Sequence, residues 1–243
     1  MSSSYSLSIL LILLPFSHAS MILTVVNHCP YPIWPAIQPN TGHPALERGG
    51  FFLNTNTHRS FPAPTKHWSG RIWARTGCTH TNNKFSCITG DCGGKLECNG
   101  LGGATPTTLA QLSLHHTPTD QTSYGVSLVD GFNVPMTVTP HEGKGTCPVV
   151  GCKADLLATC PWSLQKHAED GRVVACKSGC DAFNTDEFCC RGHFNNVNTC
   201  KGSKWSDFFK SACPATFAFA HDNPSLMHEC SSPKEVKVIF CHP

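Results

Sequence analysis

Charge is scarce in this sequence. Only 14% of its 243 residues are Asp, Glu, Lys or Arg, and the formal net charge is +2. The Lys and Arg residues are scattered, so there is no basic stripe of the kind that tracks nucleic acid, and no acidic tail. A nucleic-acid partner is therefore not expected. Beyond residue 20 no apolar run is long enough to cross a bilayer. The chain stops at Cys241-His242-Pro243, without a hydrophobic tail for a lipid anchor or a retention signal. An Asn-x-Ser/Thr acceptor is also missing, because Asn223-Pro224-Ser225 is blocked by its proline and Asn198-Thr199-Cys200 is only a weak variant. There is no internal repeat.

Cysteine, by contrast, is abundant. Sixteen residues run from Cys29 to Cys241, an even number at a density that belongs to an oxidising compartment. The N-terminus agrees. Leu7 to Phe16 is a short apolar run followed by Ser17-His18-Ala19, a small-x-small cleavage signal. Residues 1–20 read as a signal peptide cut after Ala19 or Ser20, although its leading segment has no Lys or Arg. Zinc is the competing use of clustered cysteines. It is disfavoured because the spacings give no paired C-x-x-C motifs. The 14 histidines are scattered, with His115-His116 the only adjacent pair. Neighbours on a strand face opposite ways, so those two rings do not readily share an ion. No metal and no cofactor are expected.

With 40% hydrophobic residues the chain can bury a core. Low charge with many Gly, Pro, Ser and Thr points to β structure joined by turns. Ile22 to Val26, Arg71 to Ala74, Thr108 to Leu114, Tyr124 to Val129, Pro135 to Thr139 and Lys234 to Cys241 read as strands. Residues 30–50, rich in Pro and Gly, read as loop and turn. Ser206 to Ser211 reads as a short helix. A first strand near Cys29 and a last one near Cys241 suggest that the two ends lie side by side in one sheet.

Particular residues then resemble a known family. The stretch Cys87-Ile88-Thr89-Gly90-Asp91-Cys92-Gly93-Gly94-Lys95-Leu96-Glu97-Cys98 resembles the thaumatin signature, with Asn83 where a Gly usually opens it. Val26 to Pro30, Ile33 to Ala36, Trp73 to Cys78, Ser127 to Asn133, Glu187 to Cys190 and Val238 to Cys241 extend the likeness over almost the whole chain after residue 20. The resemblance implies a mainly β fold, a flattened sandwich carrying two disulfide-rich loop and helix lobes. Its parts would be a sandwich core of residues 21–75, 107–153 and 214–243, a small lobe of 76–106 and a large lobe of 154–213. It also implies the pairs Cys29–Cys241, Cys78–Cys87, Cys92–Cys98, Cys147–Cys230, Cys152–Cys213, Cys160–Cys176, Cys180–Cys189 and Cys190–Cys200. Spacing alone leaves on the order of two million pairings open.

The family resemblance further implies an acidic cleft built from one Arg, one Glu and three Asp. Carried over by motif, its positions here are Arg75, Gln111, Gly125, Asp130 and Asp222. The Glu is replaced by Gln111 and one Asp by Gly125. Phe132, Phe188 and Phe219 lie in motifs that border the cleft, with core packing as their alternative role. Arg75 is expected either to meet a ligand or to pair with Asp130 or Asp222. Glycoside hydrolysis needs a proton donor and a second carboxylate, so the altered set argues against strong catalysis and no catalytic residue is assigned. The resemblance implies a secreted, monomeric, pathogenesis-related defence protein of the apoplast or cell wall. It would be antifungal or stress-related, with the stability of an allergen, and would bind β-1,3-glucan. The alternatives are a weak endo-β-1,3-glucanase, an inhibitor of microbial glycosidases, or a protein acting on microbial membranes.

Overall fold

The structure, a computed structural model, describes residues 20–82, 84–115 and 120–242. All but the last residue of the segment 1–20 read as a signal peptide, together with Asn83 and His116, lie outside the described residues. In chain order the strands are β1 (Ile22–Asn27), β2 (Trp34–Pro39), β3 (Thr57–Pro62), β4 (Trp68–Arg75), β5 (Thr79–Thr81), β6 (Lys84–Ser86), β7 (Leu109–Leu114) and β8 (Gln121–Ser127). There follow β9 (Met136–His141), β10 (Val150–Cys152), β11 (Gln165–His167) and β12 (Val173–Cys176). Helices α1 (Gly179–Phe183), α2 (Asp186–Cys189) and α3 (Lys204–Ala212) precede β13 (Thr216–Phe217), β14 (His228–Ser231) and β15 (Glu235–Phe240).

Two sheets carry the fold. One has the order β10-β9-β15-β1-β3, and the other the order β13-β8-β7-β4-β2, with β14 also paired to β8. Their strands alternate, so one face of each is apolar. Leu23, Val25, Val138, Val236, Val238 and Phe240 of the first sheet pack against Ile37, Ile72, Ala110, Leu112, Leu114, Tyr124 and Val126 of the second. β1 runs parallel to β15, with Ile22 opposite Glu235 and Asn27 opposite Phe240. The two ends of the chain thus share a sheet.

One expectation fails at β2. Residues 30–50 are not all loop, because Trp34–Pro39 pairs antiparallel with β4 despite Pro35 and Pro39. The reason is position. β2 is the edge strand of its sheet, where a missing N–H leaves no neighbouring strand without its bond.

Outside the sandwich, disulfides replace bulk. The sixteen cysteines form eight bonds: Cys29–Cys241, Cys78–Cys87, Cys92–Cys98, Cys147–Cys230, Cys152–Cys213, Cys160–Cys176, Cys180–Cys189 and Cys190–Cys200. A second buried cluster gathers Leu128, Phe132, Leu156, Leu164 and Phe209 around four of these sulfurs. α3 supplies Phe209. Its N-terminus is closed by a capping box in which Ser203 accepts from the Ser206 N–H and Ser206 accepts from the Ser203 N–H. A third, small cluster seats Trp73, Ala36 and Leu109 against Cys92 and Cys98.

Cross-links restrict the unfolded chain more when they close longer loops. The Cys29–Cys241 bond spans 212 residues and Cys92–Cys98 only 6. Replacing the first pair by Ala is expected to cost about 4–5 kcal/mol, and replacing the second about 2 kcal/mol. Denaturant unfolding of the two double variants would check this order, and equal losses would contradict it.

Candidate functional site

The candidate site lies on the outer face of the six-stranded sheet. Alternation along β4, β7 and β8 sends Ile72, Leu112 and Tyr124 inward and leaves Arg71, Gln111 and Gly125 outward. The register puts these three on one rung, Arg71 opposite Gln111 and Gln111 opposite Gly125. Arg71 and Gln111 border a groove of ≈ 550 Å³ whose lining also includes Asn40, Ser69, Ser113, Ser123 and Glu229. Gly125, expected in the cleft, is buried and does not line the groove. A Cβ there would stand 3.1 Å from the Leu226 carbonyl oxygen and 3.1 Å from the Phe217 ring.

The groove is polar and open. Asn40 donates from Nδ2 to the Ser69 hydroxyl at 2.9 Å, and Ser113 meets His67 Nε2 at 3.0 Å. Among the residues lining this groove Glu229 is the single carboxylate. It stands exposed on β14, opposite Ser123 of β8. Arg71 is likewise exposed. Neither Arg71 nor Glu229 belongs to the cleft set read from the motifs. The signal for Arg71 was present, since it lies an even number of residues from Arg75 in a strand and so shares its face. Nothing in the sequence marked Glu229.

Arg75 takes a different place from the one expected. It is fully buried and donates to four backbone carbonyls: Trp34 at 2.9 Å, Pro35 at 3.3 Å, Lys95 at 2.6 Å and Leu96 at 2.9 Å. It forms no ion pair with Asp130 or Asp222. Burial pulls its pKa down to about 10, against the opposing pull of Asp91, so it stays charged at neutral pH. The residues 95–96 that accept from it cover this end of the sheet face and close it to a ligand.

The remaining positions divide. Asp130 and Phe188 line a second depression of ≈ 570 Å³ with Thr105, Asp181 and Asn184. Burial raises the Asp130 pKa from its ordinary value, with Arg71 opposing and Asp181 reinforcing the shift. Asp222 has a side chain only 6% exposed and pairs with Lys210 at 3.0 Å. It also accepts from the Ala218 and Asn223 N–H groups at 3.0 and 2.7 Å, so its oxygens are committed to holding the turn after β13. Phe132 is fully buried in the second cluster. Phe219 is half-buried beside Gly202, and lines neither depression. Among the described residues no group of three His, Cys, Asp or Glu side chains could hold a metal ion.

The thaumatin family model matches residues 27–242. The chain belongs to the thaumatin family. An osmotin-like protein of Solanum lycopersicum is 67% identical over 241 residues, 97% of this chain and 96% of that protein. A Prunus avium protein named glucan endo-1,3-beta-glucosidase is 40% identical over 238 residues, 97% of this chain and 96% of the relative. Among solved structures the thaumatin-like xylanase inhibitor TLXI matches with a TM-score of 0.51 at 24% identity, covering 90% of this chain and 99% of that one. That likeness is one of fold. The mainly β, disulfide-rich architecture of this thaumatin-family chain is therefore established both by its strands and by its relatives.

Two outcomes follow for this member. Arg75→Ala is expected to lower stability by about 3 kcal/mol, because it leaves several buried carbonyls without donors; denaturant unfolding measures it. Asp130 binds its proton more readily folded than unfolded. Its contribution to stability therefore falls as pH rises from the ordinary carboxylate range through its raised folded value. Asp130→Asn should raise the thermal midpoint at pH 7 and have a smaller effect at pH 3.

Proposed function

We propose that this protein is a secreted defence protein that binds cell-wall β-1,3-glucan in the Arg71–Gln111–Glu229 groove without strong catalysis. The observation that carries the reading is the groove itself, an open trough of amide, hydroxyl, guanidinium and carboxylate groups above an apolar sheet. Its hydrogen-bonding groups suit the hydroxyls of a polysaccharide chain. Gln111 has both a donor and an acceptor, and its side chain makes no hydrogen bond among the described residues. The relative named as a glucan endo-1,3-beta-glucosidase supports the choice of glucan. Eight disulfides suit work outside the cell, and no described helix is long and apolar enough to cross a membrane.

The chemistry of hydrolysis separates binding from cleavage. A retaining or inverting mechanism needs two carboxyl groups flanking the scissile bond. Glu229 is the one carboxylate of this groove, and Gln111 neither gives nor takes a proton near neutral pH. Asp130 sits in the neighbouring depression, and Asp222 is engaged by Lys210.

The test combines depletion from solution by insoluble β-1,3-glucan with measurement of reducing sugar released. Wild type should be depleted and release little sugar. Arg71→Ala should weaken binding about tenfold, the loss of a charged hydrogen bond, with the thermal midpoint unchanged. Gln111→Glu restores a second carboxyl beside Glu229 and should raise sugar release. A wild-type protein that stays in solution overturns the reading.

A further inference from the structure

The other sheet presents a second surface on the far side of the sandwich core. Across β3, β1, β15 and β9 the register aligns Ser60, Thr24, Lys237 and Thr139 on one rung. Thr24 bonds Ser60 at 2.8 Å and donates to Glu235 at 2.6 Å. This rung crosses a shallow trough of ≈ 340 Å³, also bordered by His28, His58 and His141. His28 and His58 are exposed. A fourth histidine, His242, meets Thr137 at 2.6 Å; burial, with Lys153 and His28 nearby, holds its pKa below the ordinary value, so it is not one of the groups that charge first.

The charges facing these rings are few. Glu235 is held by Thr24 and lies 3.4 Å from Lys237. Glu142, following His141, is paired with Lys234. Arg59 of β3 is engaged by Glu47 and the Phe51 ring. Lys153 is exposed beside His242. With neutral imidazoles the surface holds Lys153, Lys234 and Lys237 against Glu142 and Glu235, close to balance. Histidine is the side chain that gains charge in mildly acidic water, so acidification adds positive charge to this face through the exposed His28 and His58 without adding a negative one. The same holds for the whole protein, whose net charge of +2 is counted with 14 histidines neutral.

We propose that this face is an acid-dependent binding surface for a polyuronate, a polysaccharide whose sugars carry carboxylates. The imidazolium and ammonium groups match the carboxylates, and the Ser60 and Thr139 hydroxyls match the sugar hydroxyls between them, with Thr24 buried beneath and orienting Ser60. A lipid surface fits less well. The large apolar side chains that stand exposed, such as Phe52, Leu96, Trp162 and Val197, all lie off the four strands, so the face has no anchor to insert. The proposal is independent of the glucan reading, which uses the opposite sheet.

The test is retention of the oxidised protein on immobilised polygalacturonate at pH 5.0 and pH 7.5, with neutral β-1,3-glucan run in parallel. Binding to polygalacturonate should be at least about tenfold stronger at pH 5.0 and should weaken in 0.5 M salt, as exposed charge pairs are screened. His28→Gln with His58→Gln should remove most of the pH dependence and leave glucan retention unchanged. The control pair His80→Gln with His167→Gln, exposed elsewhere, should change neither. Retention that is independent of pH, or equal losses in both histidine pairs, would overturn the proposal. Stronger acid-dependent binding to vesicles of anionic phospholipid than to polygalacturonate would overturn the choice of partner.

Discussion

The guanidinium of Arg75 ties the parts of this molecule together. It sits without solvent at the end of β4 and gathers carbonyls from the edge strand β2 and from residues 95–96 of the cysteine-rich loop. A loop with so little apolar bulk cannot dock by hydrophobic burial alone. The cation gives it several charge-assisted bonds at once, while Trp73 packs beside them on Cys92 and Cys98. The docked loop then decides how much of the outer sheet face stays open. What is left uncovered is the stretch bearing Arg71 and Gln111.

Asn133 performs the same work one layer deeper. Its amide donates to the Ala74 carbonyl and the Thr89 hydroxyl, and its oxygen accepts from the Thr108 N–H. Every bond joins a different segment, so the loop after β8, the strand β4 and the start of β7 are fixed relative to one another. Polar groups fully satisfied in this way specify one arrangement of the segments they join. The groove is therefore held by backbone and by the buried Asn133 amide, while Arg71 and Glu229 on its lining stay exposed.

Much of this was legible in the residues. Alternation located β1, β7, β9 and β15, and the short apolar helix near residue 206 is α3. β2 escaped because proline argues against a strand unless the strand is known to be an edge, which is a property of the sheet and not of the segment. That Arg75 is buried and Arg71 exposed was hidden for a related reason. Arg71 and Arg75 share a face of one strand, and only the position of residues 95–96 tells which is covered. Asp222 had the right motif, but Lys210 arrives from α3, a partner that no local pattern announces. Glu229 lies on a strand paired to β8 across more than a hundred residues, a separation at which sequence gives no register.

The parallel pairing of β1 with β15 also governs how the protein bears tension. Residues 20 and 242 lie at opposite ends of that strand pair, so pulling them apart shears the whole ladder at once. Should the ladder yield, the slack is short. Only the stretch up to Cys29 can pay out, roughly 30 Å of extended chain, before the load meets the Cys29–Cys241 bond. Beyond that point the force runs through covalent sulfur, and the sandwich between the two cysteines is mechanically bypassed.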